Sequence, residues 1–290
     1  MSIEEEVRRG YTIPTEMKKV WKVQMDLLRK LLAVCEKHHL KIWAEGGTLL
    51  GTIREHGYIP WDDDIDMAML RDDFDRLVQI APEEFSHPFF FQYGYTEDYY
   101  PLGYAKIRMD NTTAIEPERK FAQIHQGIFV DIFPLDGLPD NQNELSSLIA
   151  ERNKYYSSIV GCSTPLSLSH PGRSFRTLIS RPRYKNLFSK LENVFRGNSI
   201  NDNEYVSCLS FIVDERYFRK KEWYKNTVFM PFEDIMIPVP EGYHFILEKQ
   251  YGDYMTPRNS PGFHTFWKLD ADTSYKEYLH DLYSFLKVKQ

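Results

Sequence analysis

GGTLLGTIREHGYIPWDDDID, at residues 46–66, carries a glycine pair followed by carboxylates at every second position. These carboxylates are Asp62, Asp64 and Asp66, and their apolar neighbours indicate that residues 64–66 form a β-strand. Because alternate residues of a strand share one face, two like charges would lie side by side there. Such charges raise each other's pKa unless a cation lies between them. The pattern therefore predicts a site for a hard, oxygen-seeking ion, Mg²⁺ or Mn²⁺.

The segments around this stretch predict an α/β fold. Apolar residues recur at helical spacing over residues 15–39, behind a start signal at Pro14, and indicate a long amphipathic helix. Strand, glycine turn, helix and strand then alternate, which is typical of α/β proteins. Pro, Gly, Asp and Asn predict a loop over residues 134–143. Further helices are predicted at 46–55, 71–80 and 143–159, and strands at 41–44, 89–93, 104–109 and 127–133.

Asp131 is an isolated carboxylate in an apolar strand, between Val130 and Ile132. An unpaired buried charge costs several kcal/mol or neutralises itself by a pKa shift, so this side chain needs a partner. The sequence therefore predicts that Asp131 supplies a third acidic group to the same site from a neighbouring strand.

The glycine pair predicts a phosphate-binding turn. Gly46 and Gly47 would let backbone N–H groups and a helix N-terminus approach phosphate oxygens, with the Thr48 hydroxyl as a further donor. A metal beside this turn would neutralise charge on a transferred phosphoryl group. The residues alone favour phosphoryl or nucleotidyl transfer. A solvated acidic turn and a calcium loop are the alternatives, although the glycine and the later glutamate of an EF-hand loop are missing.

Composition restricts the protein class. The chain has 290 residues, 42% of them hydrophobic, so it can bury a substantial core. A net charge of −6 argues against a nucleic-acid partner. Cys35, Cys162 and Cys208 lack CxxC spacing, and we interpret them as packing residues in a reducing compartment. Because the N-terminus has no signal-peptide pattern and no apolar run reaches membrane-spanning length, we expect a cytoplasmic protein.

Residues 173–190 oppose the overall charge. They contain six basic residues and no acidic one, with aromatic residues between them. Such a stretch predicts peripheral contact with an anionic membrane surface or with a phosphorylated acceptor. An ordinary solvated surface segment is the alternative interpretation.

Four ordered blocks resemble the LicD family, phosphocholine transferases of bacterial glycans that are related to the fukutin-type ribitol-phosphate transferases. The blocks are GGTLLGTIREHGYIPWDDDIDMAM at 46–69, KIRMDNTTAIE at 106–116, GIFVDIFPLDGLP at 127–139 and PVPEGYHFILEKQYGDYMTP at 238–257.

The resemblance implies an α+β nucleotidyltransferase-like core with a mixed central sheet and flanking helices. We expect a catalytic core at 1–139, a helical and basic insertion at 140–225 that falls outside the resemblance, and a C-terminal segment at 226–290 that packs on the core. The implied reaction is Mg²⁺-dependent transfer of phosphocholine from CDP-choline to a hydroxyl of a cell-surface glycan, such as lipopolysaccharide or teichoic acid. A related CDP-alcohol carrying ribitol, glycerol or ethanolamine phosphate, nucleotidyl transfer, and a non-catalytic nucleotide- or glycan-binding scaffold are the alternatives.

The resemblance also implies roles for individual residues. It makes Asp64 and Asp66 the Mg²⁺ ligands, and Asp131 a third ligand or the base for the acceptor hydroxyl. Asp62 matches a further acidic position with a less defined role. The residues implied to line the donor phosphates are Gly46, Gly47 and Thr48.

Three basic residues of the matching blocks and three aromatic residues have two interpretations each. Cations that contact the donor diphosphate would stabilise its charge, and surface salt bridges are the alternative. These cations are Arg54, Lys106 and Arg108. Trp43, Trp61 and Tyr93 are interpreted as core residues, or as contacts to the donor base or choline.

Overall fold

The computed structural model describes residues 1–120, 122–164, 171–211, 214–257 and 266–280. Within these ranges the helices are α1 Thr15–Lys37, α2 Gly46–Arg54, α3 Arg71–Glu84, α4 Gln142–Ser163, α5 Pro171–Ser180, α6 Tyr184–Arg196 and α7 Tyr243–Tyr251. The strands are β1 Glu6–Arg8, β2 Tyr11–Ile13, β3 Trp43–Ala44, β4 Asp66–Leu70, β5 Phe89–Gln92, β6 Ala105–Met109, β7 Thr113–Ile115, β8 Phe129–Leu138, β9 Tyr205–Ser207, β10 Arg219–Lys220, β11 Thr227–Phe232, β12 Ile235–Pro240 and β13 Lys268–Asp270.

A seven-stranded sheet forms the centre of the fold. Its strand order is β10-β9-β8-β4-β3, and β6 pairs with both β8 and β5. The pair β4–β8 is parallel, whereas the other pairs of this sheet are antiparallel. The predicted α+β architecture with a mixed central sheet and flanking helices is therefore confirmed.

Helix α1 packs its apolar stripe against this sheet. Trp21, Met25 and Leu28 are fully buried, and they recur at the i, i+4, i+7 spacing that places side chains on one helix face. The helix makes contacts with β6 and β8. Trp21 and Gln24 of this helix also donate to backbone carbonyls of the acidic segment, so α1 helps to fix that segment.

Two predicted boundaries near the site are wrong. The strand expected at 64–66 begins only at Asp66, so Asp64 lies in the segment before it. Side chains of α1 hold the backbone before the strand, since Trp21 Nε1 donates to Asp62 O (3.0 Å) and Gln24 Nε2 donates to Asp63 O (2.7 Å). Contact with β8 begins at Ile65, whose carbonyl accepts from Asp131 N at 2.9 Å.

The loop predicted over residues 134–143 starts later than expected. Strand β8 continues through Pro134 to Leu138, because that half of the strand pairs with β4 on one side and with β9 on the other. Pro134 has no N–H group to donate, but it still fits the strand because its carbonyl oxygen can accept a hydrogen bond.

A buried ionic cluster joins the helices of the 140–225 stretch to the core. Arg71 of α3 forms a bidentate pair with Asp136 of β8, at 2.6 Å and 2.9 Å, and lies 3.5 Å from Glu192 of α6. Strands β9 and β10 also belong to the central sheet. Part of the predicted insertion therefore lies within the central sheet. The domain boundaries inferred from the sequence remain a prediction.

The antiparallel hairpin β11–β12 packs beside β3 and α2. Trp43 of β3 is fully buried, and its Nε1 donates to Thr227 Oγ1 at 2.9 Å. Of the helices in the described ranges, none has the length and apolar character needed to cross a membrane.

Candidate active site

A cavity of about 220 Å³ opens where β4 begins, next to the N-terminus of α2. Three of the predicted acidic residues and both predicted glycines line it. Its remaining wall is largely aromatic and comes from distant parts of the chain. The lining residues are Glu45, Gly46, Gly47, Asp64, Asp66, Tyr104, Asp131, Phe133, Cys208, Phe211, Tyr217, Arg219, Gln250 and Tyr251.

Sheet register brings Asp66 and Asp131 together. The two residues are direct partners in the parallel pair β4–β8, and paired residues point to the same face of a sheet. Burial raises the pKa of Asp66 well above its usual range, and the charges of Asp64 and Asp131 raise it further. The Asp66 carboxylate is therefore strongly disfavoured as an anion unless a cation joins it.

Asp62 and Asp64 form a second acidic group with Asp63. One carboxylate oxygen from each of the three lies within 4.8 Å of the others, an arrangement able to hold a metal ion. Burial and then the charges of Asp64 and Asp63 raise the pKa of Asp62. Sequence reasoning did not single out Asp63, although it stands within the same acidic run.

The glycine pair allows close approach of these carboxylates to α2. Gly46 has a φ of +51°, and a Cβ atom at this position would lie 3.3 Å from Asp66 Oδ2. A Cβ atom at Gly47 would lie only 2.6 Å from Asp62 Oδ2, well inside van der Waals contact. The first N–H groups of a helix have no intrahelical acceptor, so this end of α2 carries donors and a partial positive charge into the cavity.

Thr48 and Arg54 have structural partners. The Thr48 hydroxyl accepts from Asp66 N at 2.9 Å and ties α2 to the start of β4. Arg54 donates from Nε to Glu55 Oε1 (2.6 Å) and from Nη1 to Tyr254 O (3.0 Å). Thr48 does not line the carboxylate cavity, and Arg54 lines a neighbouring one.

Lys106 lies beside Asp131 rather than at the cavity surface. It is the antiparallel partner of Asp131 across β6–β8, and its Nζ donates to Asp131 Oδ1 at 2.5 Å. Nζ also lies 3.4 Å from the centroid of the Phe129 ring. Burial lowers the pKa of Lys106, and the Asp131 charge opposes that shift. Asp131 therefore has a cationic partner within the protein, Lys106.

The structure does not bring Arg108 to the cavity. Arg108 is buried on β6, where its Nε donates to Gln92 Oε1 and its Nη1 donates to Gly127 O at 2.6 Å. A contact between Arg108 and a donor diphosphate would require these hydrogen bonds to break. In the observed structure Arg108 is a buried residue that hydrogen-bonds within the core.

Glu45 and Arg219 form a buried ion pair in the cavity wall that sequence reasoning missed. Both guanidinium nitrogens Nη1 and Nη2 donate to the Glu45 carboxylate, and Arg219 Nη1 also donates to Tyr224 Oη at 3.0 Å. Glu45 directly precedes the glycine pair. The sequence carries no signal for this pair because 174 residues separate its members.

A second cavity of about 390 Å³ adjoins the first and shares Gly47 and Tyr251 with it. Aromatic rings and carboxylates dominate its wall, and its one described cation, Arg54, is already bound to Glu55. The edge of the Tyr11 ring supports Trp61, with ring centroids 6.1 Å apart. The aromatic and acidic lining residues are Trp61, Asp62, Tyr251, Asp253 and Tyr254.

The cysteines and the other aromatic residues are mainly structural. Cys35 and Cys162 are buried, and Trp43 and Tyr93 are fully buried in the core. Cys208 is partly exposed in the wall of the carboxylate cavity, where burial raises its pKa to about 12. Its thiol is therefore protonated at neutral pH.

Known proteins resemble this chain in sequence. Residues 39–146, which include the glycine pair, the acidic segment and Asp131, match the family model described as LicD/FKTN/FKRP, nucleotidyltransferase domain. Lipopolysaccharide cholinephosphotransferase LicD of Haemophilus influenzae is 26% identical over 248 residues, which span 80% of this chain and 89% of the relative.

Two shorter similarities concern parts of the chain. Ribitol 5-phosphate transferase FKRP of Homo sapiens is 36% identical over 59 residues, 20% of this chain and 12% of the relative. An uncharacterised protein of Rickettsia prowazekii, RP689, is 40% identical over 74 residues, 26% of each chain. This chain therefore carries a LicD-family domain at residues 39–146 and resembles a LicD cholinephosphotransferase over most of its length.

Proposed function

We propose that this chain transfers phosphocholine from a CDP-linked donor to a hydroxyl of a cell-surface glycan, with Mg²⁺ or Mn²⁺ as cofactor. The observation that carries the proposal is the meeting of Asp64, Asp66 and Asp131 in one cavity beside the N-terminus of α2. The named relatives support the reaction class, since one is a cholinephosphotransferase and another a ribitol 5-phosphate transferase.

The donor set suits a hard divalent cation. Carboxylate oxygens are the ligands that Mg²⁺ prefers. The raised pKa values of Asp62 and Asp66 reflect burial and then the charges of neighbouring carboxylates, and a bound cation would offset both effects. The residues that would hold it are Asp62, Asp64, Asp66 and Asp131. When bound, the cation neutralises charge on the donor diphosphate and on the transferred phosphoryl group.

The protein's own groups would position the two substrates. Backbone N–H groups at the start of α2 would bind donor phosphate oxygens, where the helix dipole favours anions. The acceptor oxygen would attack the distal phosphorus of the donor in line, a P–O bond would form, and the bond to the departing CMP would break. Asp131, whose carboxylate accepts a hydrogen bond from Lys106 Nζ, would accept the proton of the acceptor hydroxyl.

The second cavity favours choline over a polyol as the alcohol. Its wall carries Trp61, Tyr251 and Tyr254 together with the carboxylates of Asp62 and Asp253. A quaternary ammonium group is attracted to aromatic faces and to negative charge, and it needs no hydrogen-bond partner. The cavity adjoins the carboxylate cavity, as a head-group site must if the linking phosphate lies at the metal ligands.

CMP release by the purified chain tests the proposal. CDP-choline, CDP-ribitol, CDP-glycerol and CDP-ethanolamine are each incubated with lipopolysaccharide or teichoic acid acceptors, with Mg²⁺, with Mn²⁺ or with EDTA. We expect acceptor-dependent release that needs the metal and is fastest with CDP-choline. Release that continues unchanged in EDTA would refute the metal assignment, and calorimetry that detects no Mg²⁺ or Mn²⁺ binding in the presence of nucleotide would favour a non-catalytic scaffold. The cytoplasmic location expected from the sequence stays a prediction.

A further inference from the structure

Helix α5 turns its apolar face toward solvent. Phe175, Leu178 and Ile179 stand at i, i+3 and i+4 and therefore share one face, and they are 63%, 50% and 55% exposed. The polar Thr177, on the other side of the helix, is buried. An ordinary surface helix packs its apolar face against the core and presents its polar face to solvent, because burial of the apolar face stabilises the packing. An exposed apolar cluster of this kind marks an interaction surface.

Unpaired positive charge surrounds this apolar face. Arg173, Arg176 and Arg183 are exposed, and among the described residues no carboxylate pairs with them. No Asp or Glu occurs from residue 171 to residue 190, although the whole chain carries a net charge of −6. The nearest ion pair of the stretch joins Lys185 to Asp98 at 3.0 Å, and both side chains are largely exposed. The partner must therefore be anionic as well as able to accept apolar side chains.

We propose that α5 and the turn that follows it bind an anionic lipid bilayer surface, with Phe175, Leu178 and Ile179 in the boundary between headgroups and acyl chains and the three arginines on lipid phosphates. This is the chemistry of helices that lie in the membrane interface. A second copy of the chain fits less well, because a two-fold contact through this face would bring Arg173 and Arg176 against their own copies. The proposal is independent of the catalytic assignment.

Vesicle co-sedimentation of the full chain tests the proposal. One set of vesicles contains phosphatidylcholine alone, and the other contains equal parts of phosphatidylcholine and phosphatidylglycerol. We expect binding to the anionic vesicles that weakens as salt is added. Arg173→Gln with Arg176→Gln should lower the partition coefficient about 25-fold, since each basic residue near an anionic surface contributes roughly fivefold. Phe175→Ser should lower it about tenfold or more.

Phe229→Ser is the matched control. Phe229 is 61% exposed, almost as much as Phe175, but it lies on β11, outside the basic stretch. It should bind vesicles like the unmodified chain. The proposal is overturned if the unmodified chain binds neither vesicle type, if binding is equal on both types, or if Phe175→Ser and Phe229→Ser behave alike. A dimer in sedimentation velocity that Phe175→Ser converts to a monomer would instead assign the face to a second copy.

Discussion

Asp66 and Asp131 are paired residues on adjacent parallel strands, yet their electrostatic surroundings differ. Lys106 stands on the other side of Asp131 and donates to it at 2.5 Å. Asp66 instead has Asp64, Asp62 and Glu45 as further charged neighbours, and these, after burial itself, raise its pKa. Asp66 therefore depends on an added cation more than Asp131 does, and the two residues should respond differently to substitution.

Asp66→Asn should weaken metal binding and raise stability without metal. The substitution removes a crowded buried charge, so the metal-free protein should melt at a higher temperature, while calorimetry should detect Mg²⁺ binding at least tenfold weaker. CMP release should fall by roughly two orders of magnitude or more. Asp26→Asn, at an exposed position on α1, is the control and should leave all three quantities unchanged. Unaltered Mg²⁺ affinity in Asp66→Asn would remove Asp66 from the proposed ligand set.

Lys106→Met should destabilise the protein through Asp131. Methionine preserves much of the packing on Phe129 but leaves the Asp131 carboxylate buried without its cation, which costs about 3 kcal/mol in the free energy of unfolding. The double variant Lys106→Met with Asp131→Asn should recover part of this loss, because no uncompensated charge remains. Denaturant unfolding measures both. Additive effects of the two substitutions on the free energy of unfolding would contradict the pairing. The double variant should be more stable than Lys106→Met but should stay inactive.

Gly47→Ala tests the close approach of Asp62 to α2. The added Cβ atom would lie 2.6 Å from Asp62 Oδ2, so the carboxylate must move, and the free energy of unfolding should fall by about 1 kcal/mol. Weaker Mg²⁺ binding should accompany that movement. Gly161→Ala is the control, since a Cβ atom there meets nothing within 4 Å and alanine favours the interior of α4, adding about 0.5 kcal/mol. Equal Mg²⁺ affinity in both variants would argue against a metal-binding role for Asp62.

The local sequence pattern was sufficient to predict that Asp64, Asp66 and Asp131 lie close together, but not how the fold brings them together. Asp131 could be inferred because a lone carboxylate in an apolar strand needs a partner. The sequence could not show that Lys106 is one partner, because this depends on the register of β6 against β8. Nor could it show that Asp64 precedes the strand, since the backbone there is held by side chains of α1.

The residues that form the wall of the carboxylate cavity could not all be predicted from the sequence. Arg219, Phe211 and Cys208 come from a stretch that the sequence assigned to a separate insertion. Their place in the site follows from the pairing of β9 with the end of β8, a contact between segments far apart in the chain. Short spacing rules describe helices and turns, whereas such long-range pairings depend on the whole fold.

His125 should make stability depend on pH in a defined window. Burial, together with the Arg108 charge, lowers its pKa from the ordinary 6.5 to about 4. The unfolded chain therefore binds a proton below pH 6.5 that the folded chain refuses until about pH 4, so this contribution to stability is lost as the pH falls through that window. The loss should reach about 3 kcal/mol. His125→Gln should flatten the measured slope of unfolding free energy between pH 6.5 and 4, whatever its stability at neutral pH. An unchanged slope would mean that His125 is already protonated in the folded protein.

Trp61→Leu should change donor selectivity rather than chemistry. Trp61 lines the cavity that we assign to the choline head group, and its ring packs against Tyr11. Loss of a cation–π contact of about 1 to 2 kcal/mol should lower kcat/KM for CDP-choline roughly tenfold, while the value for CDP-ribitol, which has no cation, should change little. Trp61→Phe should retain most of the preference because it keeps an aromatic face. Trp223→Leu is the control, since Trp223 packs on Phe245 outside both cavities. An equal loss for both donors in Trp61→Leu would show that Trp61 supports the site without recognising the alcohol, even if CMP release itself proceeds as proposed.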